Sequence, residues 1–262
     1  MGGALVKGWA NAVRKGGGLT LTVIEPNFDA ALERDLEAAG AVLNPPEPGV
    51  ADVVVLAIKP QNLREAAAAV RDFIGPETLV LSIMAGVSIA SLTRVLGAER
   101  IVRAMPNTPG RIGRGVTAYV ASAACGETDR ALAEQLLAPL GGVEPLPAER
   151  LMDVVTAVSG SGPAYVFLLA ECLAAAAESE GLDRETAARL AAQTVAGAGA
   201  LIQETGESVS TLRKQVTSPG GTTEAALDVL QASDGLAPIL RRAVVAAIQR
   251  ARQLGKDIDS EG

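Results

Sequence analysis

Short, almost uninterrupted apolar runs alternating with amphipathic ones set what this chain can fold into. Asp52-Val53-Val54-Val55-Leu56-Ala57-Ile58 carries no polar side chain after its first position, so the strand it predicts is covered on both faces. Strands are likewise predicted over Leu19–Ile24, Thr78–Ile83 and Arg100–Met105, with helices over Asp29–Ala39, Leu63–Ile74 and Ser88–Leu96. Buried strands separated by helices mean a parallel sheet with helices on both sides, an α/β doubly wound domain reaching to about residue 148.

From Glu149 the strands stop. Helices are predicted over Ala148–Ser159, Pro163–Glu180, Arg184–Thr205, Thr223–Ala232 and Leu236–Leu254, with Gly181, Gly206 and Gly235 as stops and Pro163 in a first turn that tolerates it. The domains are therefore 1–148, dinucleotide-binding in type, and 149–262, all-α. The helices between Pro163 and Thr205 are rich in alanine, and Gly197 and Gly199 allow close approach. They offer more apolar surface than one small domain covers, which predicts a homodimer through this region. The longest apolar run, Ala164 to Ala177, is interrupted by Glu171 and reads as a buried helix.

Composition removes several chemistries. The chain has no histidine, so Ser-His-Asp and Cys-His catalysis and histidine-bearing metal sites are excluded. Cys125 and Cys172 stand far apart, without the spacing of a metal cluster or a disulfide framework, and a reducing cytoplasm is expected. No metal is expected. A net charge of −7 and only six aromatic residues argue against a nucleic-acid surface. The N-terminus lacks the apolar core of a signal peptide, and no membrane association is expected.

Ligands of open α/β sheets sit beyond the carboxyl ends of the strands. Those ends are Ile24-Glu25-Pro26, Ala57-Ile58-Lys59-Pro60, Ile83-Met84-Ala85-Gly86 and Ala104-Met105-Pro106-Asn107. Lys59 and Asn107 are candidate dinucleotide contacts, or loop residues satisfied by backbone. In the second half, Val216-Thr217-Ser218-Pro219-Gly220-Gly221-Thr222-Thr223 precedes an amphipathic run. Amides at a helix start and paired hydroxyls there suit a small carboxylate. Equally, Thr222 could simply cap the helix.

The segments Met1-Gly2-Gly3-Ala4-Leu5, Ala57-Ile58-Lys59-Pro60-Gln61, Arg103-Ala104-Met105-Pro106-Asn107-Thr108-Pro109, Ser159-Gly160-Ser161-Gly162-Pro163-Ala164-Tyr165 and Val216 to Thr223, in this order, resemble the signatures of pyrroline-5-carboxylate reductases. The resemblance implies a Rossmann domain followed by a helical dimerisation domain, dimers that assemble into larger rings, and NADPH or NADH as cofactor. It implies that Ala57, Ile58, Lys59, Pro60, Ile83, Met84 and Ala85 line the dinucleotide, with Asn44 near its adenosine end. It also implies that Ser218, Gly220, Gly221, Thr222 and Thr223 form the imino-acid site, Thr223 hydrogen-bonding the ring nitrogen and Ser218 holding the carboxylate.

Three departures matter. Ser208-Val209 stands where many relatives have His-Pro. Glu25, at the end of the strand expected over Leu19–Ile24, can bind a ribose 2′-hydroxyl but repels a 2′-phosphate, so NADH should serve at least as well as NADPH. The chain opens at what looks like the end of a G-x-G-x-x-G turn, without the strand that would lie between Leu19–Ile24 and Asp52–Ile58. Each amide left unpaired there costs about 1–3 kcal/mol, and the expectation is that Met1 is an internal methionine taken as a start. Two other readings stay open: a non-catalytic paralogue that binds metabolite without turnover, and a related dehydrogenase with a helical second domain. Many of the latter place a lysine on a long helix, and the helices from Pro163 to Thr205 have none.

Overall fold

The computed structural model describes residues 1–16, 18–47 and 49–260. Two compact units are present, residues 1–160 joined by the chain from Ala247 onward, and Ser161–Ala246.

The first unit begins with α1 (Gly2–Arg14), β1 (Thr22–Val23), α2 (Ala30–Glu37), β2 (Val42–Leu43) and β3 (Val53–Leu56). It continues through α3 (Leu63–Val70), β4 (Leu79–Ser82), α4 (Ile89–Leu96), β5 (Ile101–Met105), β6 (Gly115–Ala121), α5 (Glu127–Leu137), β7 (Gly141–Pro145) and the short α6 (Met152–Val155). One sheet has the order β3-β4-β5-β6-β7, and β1 with β2 forms a separate parallel pair. Strand alternation sorts the core into two layers. Val54, Leu56 and Val80 pack with Leu63 and Ala67 of α3 and Leu92 and Leu96 of α4. Leu79, Leu81, Val102, Ala104 and Tyr119 pack with Ala133 and Leu137 of α5. A third cluster joins Leu5, Trp9 and Ala10 of α1 to Leu21, Leu36 and Leu140, and the Trp9 indole donates to the Leu136 carbonyl at 2.8 Å.

Helices on both sheet faces and an all-helical remainder agree with the doubly wound expectation. The sheet is mixed rather than wholly parallel: β6 runs antiparallel to β5, and β7 parallel to β6. Both strands escape the sequence reading because they begin on glycine and carry few long apolar runs. The strand expected over Leu19–Ile24 is reduced to Thr22–Val23, and β3 is an edge of its sheet. No strand pairs with both β1 and β3 among the described residues, and the two belong to separate sheets.

The helix expected over Ala148–Ser159 is broken into a 3-10 turn (Glu149–Leu151), α6 and a π-helical turn (Thr156–Gly160). Val154, Val155 and Thr156 are β-branched in succession, and the Thr156 hydroxyl donates to the Met152 carbonyl at 2.9 Å, which competes with the regular ladder.

The second unit holds α7 (Gly162–Ser179), α8 (Arg184–Thr205), α9 (Val209–Gln215), α10 (Thr222–Leu230) and the beginning of α11 (Leu236–Ser260). Asp183 caps α8 through the Thr186 amide, and Gly206 ends it in the left-handed region. Helix α9, capped by Ser208, escapes the sequence reading because its seven residues show no full apolar period. The run expected to be a buried helix is exposed in the single chain. Phe167 is 63% and Leu168 57% accessible, and Ala187 and Ala191 are the buried apolar side chains of this unit among the described residues. The helix pair therefore has little interior of its own and presents a broad apolar face in the single chain. Residues 149–179 reach a mean hydropathy of 1.3 over a membrane-length window, with none of that window buried.

Candidate active site

The predicted cofactor residues and the predicted imino-acid residues are each built from loops at element ends. In the first unit, Ala57, Ile58, Lys59 and Pro60 follow β3, with Pro60 opening the 3-10 turn that leads into α3. Ala57 and Lys59 are exposed. Ile83, Met84 and Ala85 follow β4; Met84 is buried, Ala85 exposed, and Gly86 turns the chain at φ 77°. The β3 and β4 loops are tied by the Ile83 amide donating to the Leu56 carbonyl at 3.0 Å.

Helix α1 starts against the β3 loop. A Cβ on Gly2 would lie 2.9 Å from that of Ala57, so only glycine permits this approach. Met1 makes no side-chain cap, and the first turn has no acidic residue. First-turn amides of an α-helix lack intrahelical acceptors and carry partial positive charge. An uncapped helix start beside exposed small side chains at strand ends fits the phosphates of a dinucleotide.

Glu25 and Asn44 meet at the ends of β1 and β2. The Asn44 carboxamide accepts from the Glu25 amide and donates to the Glu25 carbonyl, each at 2.9 Å, while Glu25 Oε1 accepts from the Asn27 amide at 3.0 Å. Asn107 is engaged at both ends of its amide. Its Nδ2 donates to Ser159 Oγ at 3.2 Å and its Oδ1 accepts from the Val116 amide at 3.0 Å. It joins the end of β5 to the π-helical turn and to β6.

In the second unit the loop before α10 has a specific local logic. Gly220 sits at φ 71°, and Gly221 is the N-cap. A Cβ on Gly221 would come within 2.5 Å of Ser218 Oγ, so the serine folds back over the glycine. The Gly221 amide donates to the Ser218 carbonyl at 3.0 Å, and the Gly220 amide to Glu224 Oε2 at 2.6 Å. Both glycines thus supply room rather than donors. Thr222 and Thr223 occupy the first two helical positions, where their amides have no intrahelical acceptor. Neither threonine caps the helix, and the hydroxyls of Ser218, Thr222 and Thr223 have no partner among the described residues. The capping alternative for Thr222 is thereby removed, and three hydroxyls and two amides gather at one helix start.

Glu224, three residues after the cap, reaches back to the Gly220 amide, one residue before the N-cap amide that a capping-box acid takes. Glu149 also escapes the sequence reading. Its Oε1 accepts from Arg103 at 2.8 Å and from the Ile89 amide at 2.9 Å, partners 46 and 60 residues away that no local pattern reveals.

A family model described as pyrroline-5-carboxylate reductase dimerisation matches residues 149–254. A pyrroline-5-carboxylate reductase of Pseudomonas aeruginosa is 43% identical over 209 residues, 79% of this chain and 76% of the relative. One of Synechocystis is 43% identical over 207 residues, 79% of this chain and 76% of the relative. The solved pyrroline-5-carboxylate reductase of Coxiella burnetii superposes with a TM-score of 0.84 at 37% identity, covering 96% of this chain and 93% of that one. The Plasmodium falciparum pyrroline carboxylate reductase, solved with NADP bound, superposes with a TM-score of 0.74 at 27% identity, covering 96% and 93%.

Proposed function

This chain belongs to the pyrroline-5-carboxylate reductase family, and from that premise we infer that it reduces 1-pyrroline-5-carboxylate to L-proline with a nicotinamide cofactor, the last step of proline biosynthesis. The observation that carries the site assignment is the loop Ser218–Thr223, with three unpartnered hydroxyls and two free helix-start amides at one point. The amides of Thr222 and Thr223 and the Ser218 hydroxyl hold the substrate carboxylate. The Thr223 hydroxyl hydrogen-bonds the ring nitrogen.

The cofactor supplies the hydride that reduces the imine carbon. The nitrogen arrives protonated from water, so the C=N bond becomes CH–NH without a strong base in the site. With no histidine in the chain, catalysis is mostly alignment of two bound reactants, an effect worth up to about 7–11 kcal/mol. The dinucleotide is held by Ala57, Ile58, Lys59, Pro60, Ile83, Met84 and Ala85, with Asn44 and Glu25 at the adenosine ribose and Asn107 bracing the end of β5. The carboxylate of Glu25 favours a ribose hydroxyl over a phosphate, which supports NADH at least equal to NADPH.

The working division is residues 1–148 for the dinucleotide and 149–262 for substrate and dimerisation, supported by a family match that begins at residue 149. The chain acts as a homodimer through α7 and α8, and its dimers assemble into a larger ring. It works in the cytoplasm, a place compatible with two unpaired cysteines. The absence of lysine from α7 and α8 disfavours a dehydrogenase that uses a lysine there as acid or base. Hydrogen exchange tests the site: L-proline with oxidised cofactor should protect the amides of Ser218 and of Gly220 to Thr223. Unchanged exchange in that loop, with protection elsewhere in α7 to α11, contradicts it.

A further inference from the structure

The loop between β4 and α4 carries Ile83, Met84 and Ala85, yet its own segment restrains it lightly. Ser82 Oγ accepts from the Met84 amide at 3.3 Å, and Ser88 caps α4 through the Ser91 amide at 3.1 Å. Ile89 is the first helical residue, so its amide has no acceptor within α4. The acceptor is Glu149, from the segment that follows β7. The same oxygen takes the guanidinium of Arg103, a β5 side chain only 7% accessible whose Nε has no partner among the described residues. A guanidinium buried this deeply needs an anion beside it, and a carboxylate at a helix start is favoured by the helix dipole. One oxygen thus locks the end of the β4 loop to β5, at the sheet edge where ligands of such sheets sit.

We propose that Glu149 is a positioning residue for the nicotinamide cofactor: held by Arg103, its Oε1 fixes the Ile89 amide and with it the loop from Ile83 to Ser88. The proposal rests on the reading that Ile83, Met84 and Ala85 line the cofactor. Glu149 does not itself touch the reacting atoms.

Three variants separate positioning from plain stabilisation. Glu149→Gln keeps an acceptor oxygen for Ile89 and loses the charge opposite Arg103. Glu149→Ala loses both. The double variant Arg103→Met with Glu149→Leu removes the buried cation together with the acceptor, so it folds without an unpaired charge. NADH binding, followed by its fluorescence, is measured beside Tm, kcat and the KM of each reactant. The dissociation constant for NADH should stay within about twofold in Glu149→Gln and rise about tenfold in the other two, with kcat and the imine KM within about twofold. Tm should fall in Glu149→Ala and recover in the double variant. The proposal is overturned if the double variant binds NADH like the wild type, or if Glu149→Gln binds as weakly as Glu149→Ala so that binding follows Tm. Wild-type protein that binds NADH but leaves the imine unreduced would sink the function reading alone, and the binding comparison would still decide this one. Wild-type protein that binds neither NADH nor NADPH would overturn both.

Discussion

The carboxamide of Asn44 closes a reciprocal pair with the backbone of Glu25, accepting from its N–H and donating to its carbonyl at 2.9 Å each. Asn44 reaches this position at φ 41°, in the left-handed region that asparagine tolerates better than most side chains. The pair fixes the ends of β1 and β2 to one another and leaves the Glu25 carboxylate anchored through the Asn27 amide. A negative charge is therefore held at the end of β1, where an adenosine ribose would lie. Glu25→Ser removes it. The ratio of kcat/KM for NADPH to that for NADH should rise by about tenfold or more, the scale of one like-charge contact. An unchanged ratio, or a wild type that strongly prefers NADPH, would remove Glu25 from the account of cofactor choice.

Thr223 has no intrachain hydrogen-bond partner among the described residues, so its hydroxyl contributes little to folding. Thr223→Val keeps the shape and deletes the donor. The expected result is a loss of about tenfold to a hundredfold in kcat/KM for the imine, with Tm within about 2 °C of the wild type. Steady-state kinetics and a thermal melt together check it; undiminished kcat/KM takes Thr223 out of the mechanism.

Helices α7 and α8 expose Phe167, Leu168, Leu190 and Leu201 in the single chain. Phe167→Glu places a charge in a surface that dimerisation should cover. The dimer dissociation constant, read by analytical ultracentrifugation, should rise by about a hundredfold. A variant that stays as associated as the wild type would move the interface elsewhere.

Asp129, at the start of α5, is buried against Arg100 and also accepts from the Gly126 amide at 2.9 Å. The Arg100 guanidinium holds its carboxyl below the ordinary value of 3.8. A depressed folded-state pKa gives stability that is fully present above 3.8 and lost as pH falls through the folded value. Asp129→Asn should therefore cost about 2–3 kcal/mol at neutral pH, and the gap in Tm between variant and wild type should close on acidification below that range. A gap that persisted at low pH would mean that packing rather than charge is lost.

The buried strands and long capped helices were legible because each is dictated by its own side chains. Val53–Leu56 admits no polar residue, and α8 runs over Arg184–Thr205 and stops at Gly206 as expected. What escaped depends on partners remote in sequence. Strand β6 takes its place by antiparallel pairing with β5, and whether the apolar face carrying Phe167 is covered is not written in its own local pattern. At the site, Gly220 and Gly221 announce a tight turn, but their role as room-makers follows from Ser218 and Glu224 taking their amides. Asn107, read as a candidate cofactor contact or an ordinary loop residue, has both ends of its amide on protein partners.

Turnover of the imine tests the central claim most directly. Purified protein given 1-pyrroline-5-carboxylate and NADH or NADPH should form L-proline in step with cofactor oxidation, and Thr223→Val should slow both together. Cofactor left reduced with the substrate present, from protein shown to be folded and dimeric, would contradict the account.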